Sequence, residues 1–376
     1  MRTLIITLEY PPTIGGIASY TYNFAKHLSP AETIIYAPPA KGAKEFNTQN
    51  GWKIYRHNPY FWIIWPHWLK ALWQIWRIVK KEKIEVIHVH HILPMGYVAQ
   101  FIKKHLKIPY IIFLHGSDLR FATKSRFKLA NFRRVCAHAD QIVVNSDFCR
   151  QQLQSIVEKL PPLKILYPCP SDEFIAATYS AAEIDKLKSE LALNGKKVII
   201  SVSRLVERKG HTLFIPAFVK VLKSIPNAVW LIIGDGPEKN NIMNFVQKNN
   251  LQSVVRFLPA MPPMEVMRYY HCADLFVLLT HQDKDGVDEA WGIVFLEAAA
   301  CGLPVVAGRS GGVGEAVENR VTGMVVDAHN TDLVATTTAE LLKNDAYAKQ
   351  MGQAGKERVG REFRWEKQIP GIYPQA

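Results

Sequence analysis

The stretch EAWGIVFLEAAACGLPVVAG, Glu289 to Gly308, contains a helix that is apolar on every side, followed by a short strand. Glu297 is the only charged residue between Gly292 and Gly302. A helix without a polar face is buried, and a carboxylate there is costly unless it is paired or hydrogen-bonded. No neighbour within the helix can satisfy Glu297. We therefore expect Glu297, and Glu289 eight residues upstream, to serve a ligand.

Short apolar, β-branched runs alternate with helix-length segments along the whole chain. Such runs are typical of parallel strands covered by helices on both faces. At 376 residues the chain exceeds what one hydrophobic core usually supports. The pattern predicts an α/β protein with two doubly wound, Rossmann-like domains facing each other across a cleft. The predicted strands are Thr3–Leu8, Thr33–Tyr36, Val86–His90, Tyr110–Leu114, Ile142–Asn145, Val198–Ser203, Val229–Ile233, Leu275–Leu279 and Val305–Ala307.

The expected domains are residues 1–170 and 171–360, joined by the proline-rich stretch LPPLKILYPCPSDEF (Leu160–Phe174). A closing helix over about residues 361–376 is expected to pack back on the first domain, and Pro370 and Pro374 should keep it short. Open parallel sheets bind ligands beyond the carboxyl ends of their strands. The polar residues that follow the strands are therefore the candidate site.

The excess of positive charge is confined to the first half of the chain. Residues 1–170 hold 23 Lys and Arg against 9 Asp and Glu, a net +14, whereas the remainder holds 23 against 24, a net −1. A one-sided basic surface indicates an anionic partner: nucleic acid, an acidic membrane or a phosphorylated substrate. The five cysteines are scattered, which predicts neither a disulfide framework nor a zinc site and fits a reducing cytosol. The first residues, MRTLIITLEYPP, predict a strand rather than a signal peptide.

Three segments place polar groups after strands. Arg204 and Lys209, in SVSRLVERKG, can bind phosphate oxygens; the alternative is a solvated loop. Gly15-Gly16 precede a helix expected from Ala18, so backbone N–H groups could approach a phosphate; the alternative is a tight turn. His115 ends a strand and could hydrogen-bond a substrate hydroxyl or move a proton; the alternative is a structural histidine.

The two glutamates suggest an extended ligand. If helical, eight residues span about 12 Å, roughly the reach of a sugar–diphosphate–ribose unit, with the sugar at Glu289 and the ribose at Glu297. The helix N-terminus near Gly292-Ile293-Val294 is itself an anion site. The alternative is that Glu297 is paired internally with Arg204 or Lys209.

The segment Glu289–Gly308 resembles the E-x7-E signature of the retaining GT-B glycosyltransferases of family 4. The C-terminal half is most similar to bacterial α-mannosyltransferases that act on phosphatidylinositol mannosides and related lipid or polysaccharide acceptors. The likeness covers nearly the whole chain. The other matching motifs, in the family's order, are Gly15-Gly16, H-G-S-D at His115–Asp118, R-L-V-E-R-K-G at Arg204–Gly210 and G-D-G-P at Gly234–Pro237.

The resemblance implies a role for each candidate residue. The family's diphosphate contacts fall on the side chains of Arg204 and Lys209 and on backbone at Gly16, Ile293 and Val294. By the same resemblance, Glu297 binds the ribose and Glu289 binds the transferred hexose. His115 contacts the sugar near the reacting carbon. The nucleobase is expected beside Leu258–Met261. There L-P-A-M-P-P stands where relatives usually have a glycine after the corresponding strand, which leaves the identity of the base open.

The resemblance further implies a metal-independent transfer with retention, without a cofactor beyond the nucleotide-sugar substrate. Charge stabilisation then comes from the cationic cluster. The D-x-D-like run Asp283-Lys284-Asp285 is interpreted as a solvated loop.

The segment YFWIIWPHWLKALWQIWRIVKKEK (Tyr60–Lys83) suggests where on the protein an acceptor binds. From Trp68, a helix would place Leu69, Leu72, Trp76 and Val79 on one face and Lys70, Gln74, Arg77 and Lys81 on the other. Pro66 and the charges argue against a spanning helix. A basic, tryptophan-rich helix can lie in the interface of an anionic membrane; alternatively it packs its tryptophans on the sheet.

Together with the family resemblance, the sequence predicts a cytoplasmic retaining hexosyltransferase, peripheral at the inner face of the cytoplasmic membrane. The resemblance alone implies that mannose from GDP-mannose is the sugar carried, to a lipid-linked, anionic or glycan acceptor in cell-envelope glycolipid or polysaccharide synthesis. Two alternatives stay open. One is a nucleotide-sugar epimerase or hydrolase on the same scaffold, which would need its own acid/base carboxylates. The other is a non-enzymatic nucleic-acid binder. The position of the basic residues on a helix, rather than on an exposed strand platform, argues against it.

Overall fold

The computed structural model describes residues 1–372 and consists of two compact units. The N-terminal unit is Met1–Pro168 together with the segment from Trp365, and the C-terminal unit is Cys169–Arg364. The segment expected to be a linker contains a strand, Leu163–Ile165, and the division between the units falls after that strand.

In the N-terminal unit the described strands form a seven-stranded parallel sheet in the order β3-β2-β1-β4-β5-β6-β7. The strands are β1 (Thr3–Ile6), β2 (Thr33–Ala37), β3 (Lys53–Arg56), β4 (Val86–Val89), β5 (Tyr110–Leu114), β6 (Gln141–Val144) and β7 (Leu163–Ile165). The helices are α1 (Gly16–Lys26), α2 (Ala43–Gln49), α3 (Leu69–Glu82), α4 (Ile92–Leu106), α5 (Ser117–Thr123), α6 (Arg126–His138) and α7 (Asp147–Ile156).

In the C-terminal unit the described strands form a six-stranded parallel sheet in the order β10-β9-β8-β11-β12-β13. The strands are β8 (Lys197–Val202), β9 (Ala228–Ile233), β10 (Val255–Leu258), β11 (Leu275–Leu278), β12 (Val305–Gly308) and β13 (Met324–Val326). The helices are α8 (Asp172–Ala176), α9 (Ala181–Glu190), α10 (His211–Ser224), α11 (Lys239–Lys248), α12 (Pro263–Cys272), α13 (Ile293–Ala300), α14 (Val313–Ala316), α15 (Thr331–Lys343) and α16 (Asp345–Glu362).

The chain returns to the N-terminal unit at α17 (Trp365–Gln368), later than the expected closing helix. Residues 361 and 362 still belong to α16. Trp365 is fully buried and packs edge-on against Tyr20, with 5.1 Å between ring centroids. The Gln368 side chain accepts a hydrogen bond from the backbone N–H of Tyr167. The far end of the predicted closing helix, including Pro374, lies outside the described residues.

Strand order reverses once in each sheet, and these points locate the candidate sites. In the N-terminal unit the reversal lies between β1 and β4, where Thr3 is in register with both Thr33 and Val86. In the C-terminal unit it lies between β8 and β11. Ligands of doubly wound sheets bind beyond the carboxyl ends of the strands at such a point. The motifs after β1, β5, β8 and β11 therefore lie at the binding edge of their own sheet.

The tryptophan-rich helix α3 turns a different face inward from the one expected. Its buried apolar side chains are Ala71, Ile75, Ile78 and Val79, whereas Leu72 and Trp76 are only partly covered. Trp76 packs against Phe101 of α4, with 6.0 Å between ring centroids. The alternative in which the helix packs its tryptophans inward is met only in part, because Trp76 is partly covered whereas Trp73 is exposed. Contact of the segment with a membrane stays a prediction. Within residues 1–372, no helix combines the length and hydrophobicity needed to cross a membrane.

Candidate functional site

The turn after β8 is held tightly against the end of β11. Gly210 follows the short 3₁₀ helix Glu207–Lys209 and has a φ of +67°. A Cβ atom there would lie 2.0 Å from the carbonyl oxygen of Leu279, so only glycine fits. The close approach brings the basic side chains of the turn to the carboxyl end of β11.

Lys209 and Glu289 form a buried ion pair at this edge. The Lys209 Nζ lies 2.5 Å from Glu289 Oε2, and both residues are less than a tenth exposed. Arg208 Nε adds a second positive charge 3.8 Å from the same oxygen. Burial alone would raise the pKa of Glu289, but the two cations outweigh it and hold the pKa below its usual range. Glu289 is therefore ionised at neutral pH.

The backbone of Glu289 is fixed by the turn after β12. Its N–H donates to Ser310 Oγ at 3.0 Å, and its carbonyl accepts from the N–H of Gly312 at 2.9 Å. Glu289 precedes α13, which begins only at Ile293. Only part of the interval between the two glutamates is therefore helical, so the helical rise of about 12 Å does not apply to all of it.

Gly292 caps α13 in a left-handed conformation, with a φ of +83°. A Cβ atom there would come within 2.6 Å of the Phe295 ring. Ile293 and Val294 are only partly buried. The first N–H groups of α13 lack partners within the helix and carry its positive dipole, so this end of α13 can receive an anion.

Glu297 lies on the partly accessible side of α13 and is held by one tyrosine. The Tyr270 hydroxyl donates to Glu297 Oε2 at 3.2 Å. Burial raises the pKa of Glu297 to about 7, which the Tyr270 hydrogen bond only partly offsets. Among the described residues Glu297 pairs with neither Arg204 nor Lys209, so the alternative of internal pairing was wrong; Lys209 pairs with Glu289 instead.

Arg204 and Met261 follow the carboxyl ends of β8 and β10. Arg204 is exposed, and among residues 1–372 nothing hydrogen-bonds or pairs with its guanidinium group. Gly236 packs on the same turn, since a Cβ atom there would lie 2.3 Å from the carbonyl oxygen of Leu205. Met261 is partly buried in the loop before α12.

The Asp283-Lys284-Asp285 run forms a turn stabilised by its own residues. Asp283 Oδ1 accepts hydrogen bonds from the N–H groups of Asp285 and Val287. Lys284 is exposed and lies 3.8 Å from Glu207. In the described part of the chain, no cluster of three or more His, Cys, Asp or Glu side chains is arranged to hold a metal ion.

His115, at the end of β5, is part of a histidine cluster in the N-terminal unit. Its Nε2 lies 3.3 Å from His90 Nδ1, and Tyr20 packs edge-on against its ring at 4.8 Å. Burial, with a smaller contribution from His91, lowers the pKa of His115 to about 3. The ring is therefore neutral at physiological pH. A neutral imidazole suits a hydrogen bond to a hydroxyl better than acid catalysis.

Gly15 and Gly16 lie where β1 leads into α1, which begins at Gly16 rather than at Ala18. Gly15 has extended backbone, and a Cβ atom on it would lie 3.2 Å from Glu9 Oε2. A Cβ atom on Gly16 would meet nothing within 4 Å. The first N–H groups of α1 lack partners within the helix, as a phosphate site requires.

Sequence reasoning missed three residues that position the candidates. His90 contacts both His115 and the Thr21 hydroxyl, the latter at 3.3 Å. The run H-V-H-H at the end of β4 was the available signal for it. Tyr270 and Ser310 carry no such signal, because they reach Glu297 and Glu289 only through the tertiary fold.

Glu297 makes a testable contribution to stability. A carboxyl group whose pKa is raised by folding stabilises the native state below pH 4.5, its usual value, and loses that contribution as pH rises through about 7. Glu297→Gln keeps the acceptor for Tyr270 and removes the charge. We expect the variant to be more stable than the wild type by about 2 kcal/mol at pH 8. The advantage should vanish at pH 4, and urea unfolding at both pH values measures it. Equal stability at pH 8 would show that Glu297 is not strained by burial.

The chain matches two family models and several proteins of known activity. Residues 14–168 match the model described as Glycosyltransferase Family 4, and residues 183–358 match Glycosyl transferases group 1. A GDP-mannose-dependent alpha-(1-6)-phosphatidylinositol monomannoside mannosyltransferase of Mycolicibacterium smegmatis is 28% identical over 96% of this chain and 94% of its own. A D-inositol 3-phosphate glycosyltransferase of Corynebacterium efficiens is 30% identical over 76% of this chain and 70% of its own.

Among solved structures, an Anabaena protein in complex with UDP superposes with a TM-score of 0.84 at 17% identity, covering 99% of both chains. That likeness shows the GT-B fold. The family models, the relatives and the two parallel sheets agree with one another. The chain is a glycosyltransferase and belongs to family 4 of the GT-B fold.

Proposed function

We propose that the protein is a retaining hexosyltransferase that carries mannose from GDP-mannose to a lipid-linked or glycan acceptor. The observation that carries the proposal is the arrangement of Glu289, Lys209 and Glu297 at the carboxyl edge of the C-terminal sheet. Relatives at 28% and 29% identity over at least 96% of the chain are named as GDP-mannose-dependent mannosyltransferases, which supports the choice of donor.

The donor diphosphate would be bound by charge already concentrated at this edge. Among the described residues Arg204 has its guanidinium free for phosphate oxygens, and Lys209 follows five residues later in the same turn. The N-terminus of α13 adds the N–H groups of Ile293 and Val294, which donate to no described residue. These groups would stabilise the negative charge that develops on the departing diphosphate, without any metal ion.

The two carboxylates would hold the hydroxyl groups of the donor. Glu297, when ionised, accepts hydrogen bonds from ribose, and Glu289 accepts them from the hexose. Lys209 and Arg208 keep Glu289 ionised, so its oxygens act as acceptors over the whole physiological pH range. In the N-terminal unit, neutral His115 would donate to or accept from a sugar hydroxyl near the reacting carbon. The base would lie beside Leu258–Met261.

In the proposed reaction the bond between the anomeric carbon and the diphosphate oxygen breaks. The acceptor oxygen forms its new bond on the same face of the sugar. The acceptor hydroxyl transfers its proton to the departing diphosphate, so no protein base is required. The products are a nucleoside diphosphate and an α-linked glycoside.

The acceptor is proposed to be lipid-linked, anionic or a glycan, used in cell-envelope glycolipid or polysaccharide synthesis. The net charge of +14 in residues 1–170 supports an anionic surface as the place of action. We place the enzyme at the inner face of the cytoplasmic membrane. The two family models and the named relatives support neither the epimerase or hydrolase alternative nor the nucleic-acid-binding alternative.

The donor assignment is tested with a panel of nucleotide sugars. GDP-mannose at about 100 times its dissociation constant should stabilise the protein by about 2.7 kcal/mol, with or without Mg²⁺. UDP-glucose, UDP-galactose and UDP-N-acetylglucosamine should give smaller shifts in the melting temperature. A larger shift with a UDP-sugar would replace mannose in the proposal but keep the site. No shift with any of them would contradict the donor site.

Donor affinity should depend on pH through Glu297. Its pKa of about 7 means that only about a tenth of the free enzyme carries the carboxylate at pH 6. The dissociation constant for the nucleotide sugar should therefore be about tenfold higher at pH 6 than at pH 8. Calorimetric titration measures it, with the intact nucleotide sugar because the terminal phosphate of GDP itself titrates near pH 6. Glu297→Gln should remove the pH dependence; a dependence that persists in the variant would assign it elsewhere.

A further inference from the structure

The N-terminal unit has a large open groove that the proposed donor site does not use. It has a volume of about 1320 Å³ and lies between the loop before α3, helix α4 and helix α6. This is more than the 300–1,000 Å³ of an ordinary small-ligand pocket. The lining side chains are Tyr60, Phe61, Trp62, Trp65, Trp68, Tyr97, Phe101 and Phe127, with Lys103, Lys104, Lys107 and Arg134 among the polar ones.

One wall of the groove ends in an exposed apolar tip, the segment Trp62–Trp65. Trp62 and Ile63 are 92% and 91% exposed, and Trp65 is 79% exposed. The base of the loop is closed by a hydrogen bond from the N–H of Phe61 to the carbonyl of His67, at 2.9 Å. A fixed base with apolar side chains in water is a contact surface rather than part of the core.

The opposite wall is also apolar and is built on packed helices. Phe127, at the start of α6, is 73% exposed, and Phe101 of α4 is 40% exposed. Trp68 packs on Tyr97 with 5.4 Å between ring centroids, which ties the loop to α4. The groove is therefore preformed, with aromatic side chains on both sides.

The polar lining of the groove is cationic. Lys104, Lys107 and Arg134 are exposed, and no described residue forms a salt bridge with them. Lys103 is engaged by Asp140 at 2.8 Å. None of the described side chains that line the groove is a carboxylate. The surface thus complements an amphiphile with apolar chains and negative charge.

We propose that this groove is a lipid-binding site that receives an acyl chain of an anionic phospholipid of the bilayer. Trp62, Ile63 and Trp65 enter the membrane interface, where tryptophan side chains are favoured. Lys104, Lys107 and Arg134 lie at the level of the anionic head groups. The inference deepens and rests on the proposed use of a membrane-associated acceptor. Its test, however, requires neither donor nor acceptor.

Flotation of the full chain with lipid vesicles tests the proposal. Vesicles with equal parts phosphatidylglycerol and phosphatidylcholine should bind the wild type at least about tenfold more strongly than pure phosphatidylcholine. The tip variant Trp62→Ser/Ile63→Ser/Trp65→Ser should lose about tenfold or more in partitioning to the mixed vesicles. Lys104→Glu/Lys107→Glu should lose about as much, and added salt should weaken wild-type binding.

A matched control distinguishes binding at this site from nonspecific adsorption through exposed apolar side chains. Met243→Ser/Phe245→Ser removes two exposed apolar side chains from α11 in the C-terminal unit and should float like the wild type. For the groove itself, dodecyl phosphate below its micelle concentration should bind and quench tryptophan fluorescence, whereas inorganic phosphate should not. A tip variant that floats like the wild type, or a control that loses as much, would overturn the proposal. Failure of flotation with intact GDP-mannose binding would leave the donor assignment standing.

Discussion

Glu289→Gln is expected to reduce transfer by about 10³-fold and to destabilise the protein at the same time. The substitution keeps the side-chain shape but removes the negative charge that Lys209 Nζ contacts at 2.5 Å. Breaking a buried ion pair by removing one charge costs about 3–5 kcal/mol. The loss of transfer follows because the hexose loses a fixed, ionised acceptor. Initial rates with GDP-mannose and urea unfolding measure the two effects.

Asp332→Asn is the matched control for the ion-pair effect. Asp332 accepts from Lys220 in the same unit, but this pair is exposed to solvent. Surface pairs contribute at most about 1 kcal/mol, so the control should be nearly as stable and as active as the wild type. If Glu289→Gln were as stable and as active as Asp332→Asn, the pair would have neither the structural nor the catalytic role assigned to it.

Arg204→Gln is expected to separate activity from stability. The Arg204 side chain is exposed and has no partner in the described structure, so its replacement should change the free energy of unfolding by less than about 0.5 kcal/mol. Transfer should nevertheless fall by about 10²- to 10³-fold, because a cation that stabilises the departing diphosphate is lost. Steady-state kinetics and urea unfolding of the same preparation give both numbers.

Two further variants, Arg268→Gln and Lys209→Met, are compared with Arg204→Gln. Arg268→Gln removes another exposed arginine of the same unit, one that lies over the Tyr269 ring, and should leave transfer unchanged. Lys209→Met should lose activity and also stability, because it leaves Glu289 buried and unpaired. A loss of transfer in Arg268→Gln equal to that in Arg204→Gln would attribute the effect to net charge rather than to the donor site.

The sequence predicted the interior of both sheets and missed their edges. All nine predicted strands are present, within one or two residues at each end. The four strands that were not predicted are β3, β7, β10 and β13, which are the outer strands of the two sheets. Central strands are apolar on both faces and stand out as continuous runs. An outer strand such as Lys53–Arg56 is only half-buried and carries charge, so its composition resembles that of a loop.

The candidate site could be predicted as a set of residues but not as a set of partners. Strand ends and a helix without a polar face were enough to select Arg204, Lys209, Glu289 and Glu297. Which carboxylate meets Lys209 depends on how the turn after β8 packs against β11, at the Gly210 contact. Sequence spacing contains no information on that contact. The same is true of the tryptophan-rich segment, where α3 is covered and the preceding loop is exposed.

The central claim is that the C-terminal unit binds a nucleotide sugar through Arg204 and the two glutamates. Calorimetric titration of GDP-mannose into the wild type and into Arg204→Gln, both at pH 8, tests it most directly. We predict saturable one-site binding to the wild type and a dissociation constant for the variant that is at least about tenfold higher. The two proteins should be equally stable. Equal affinity of the two proteins, or no binding to the wild type, would contradict the claim.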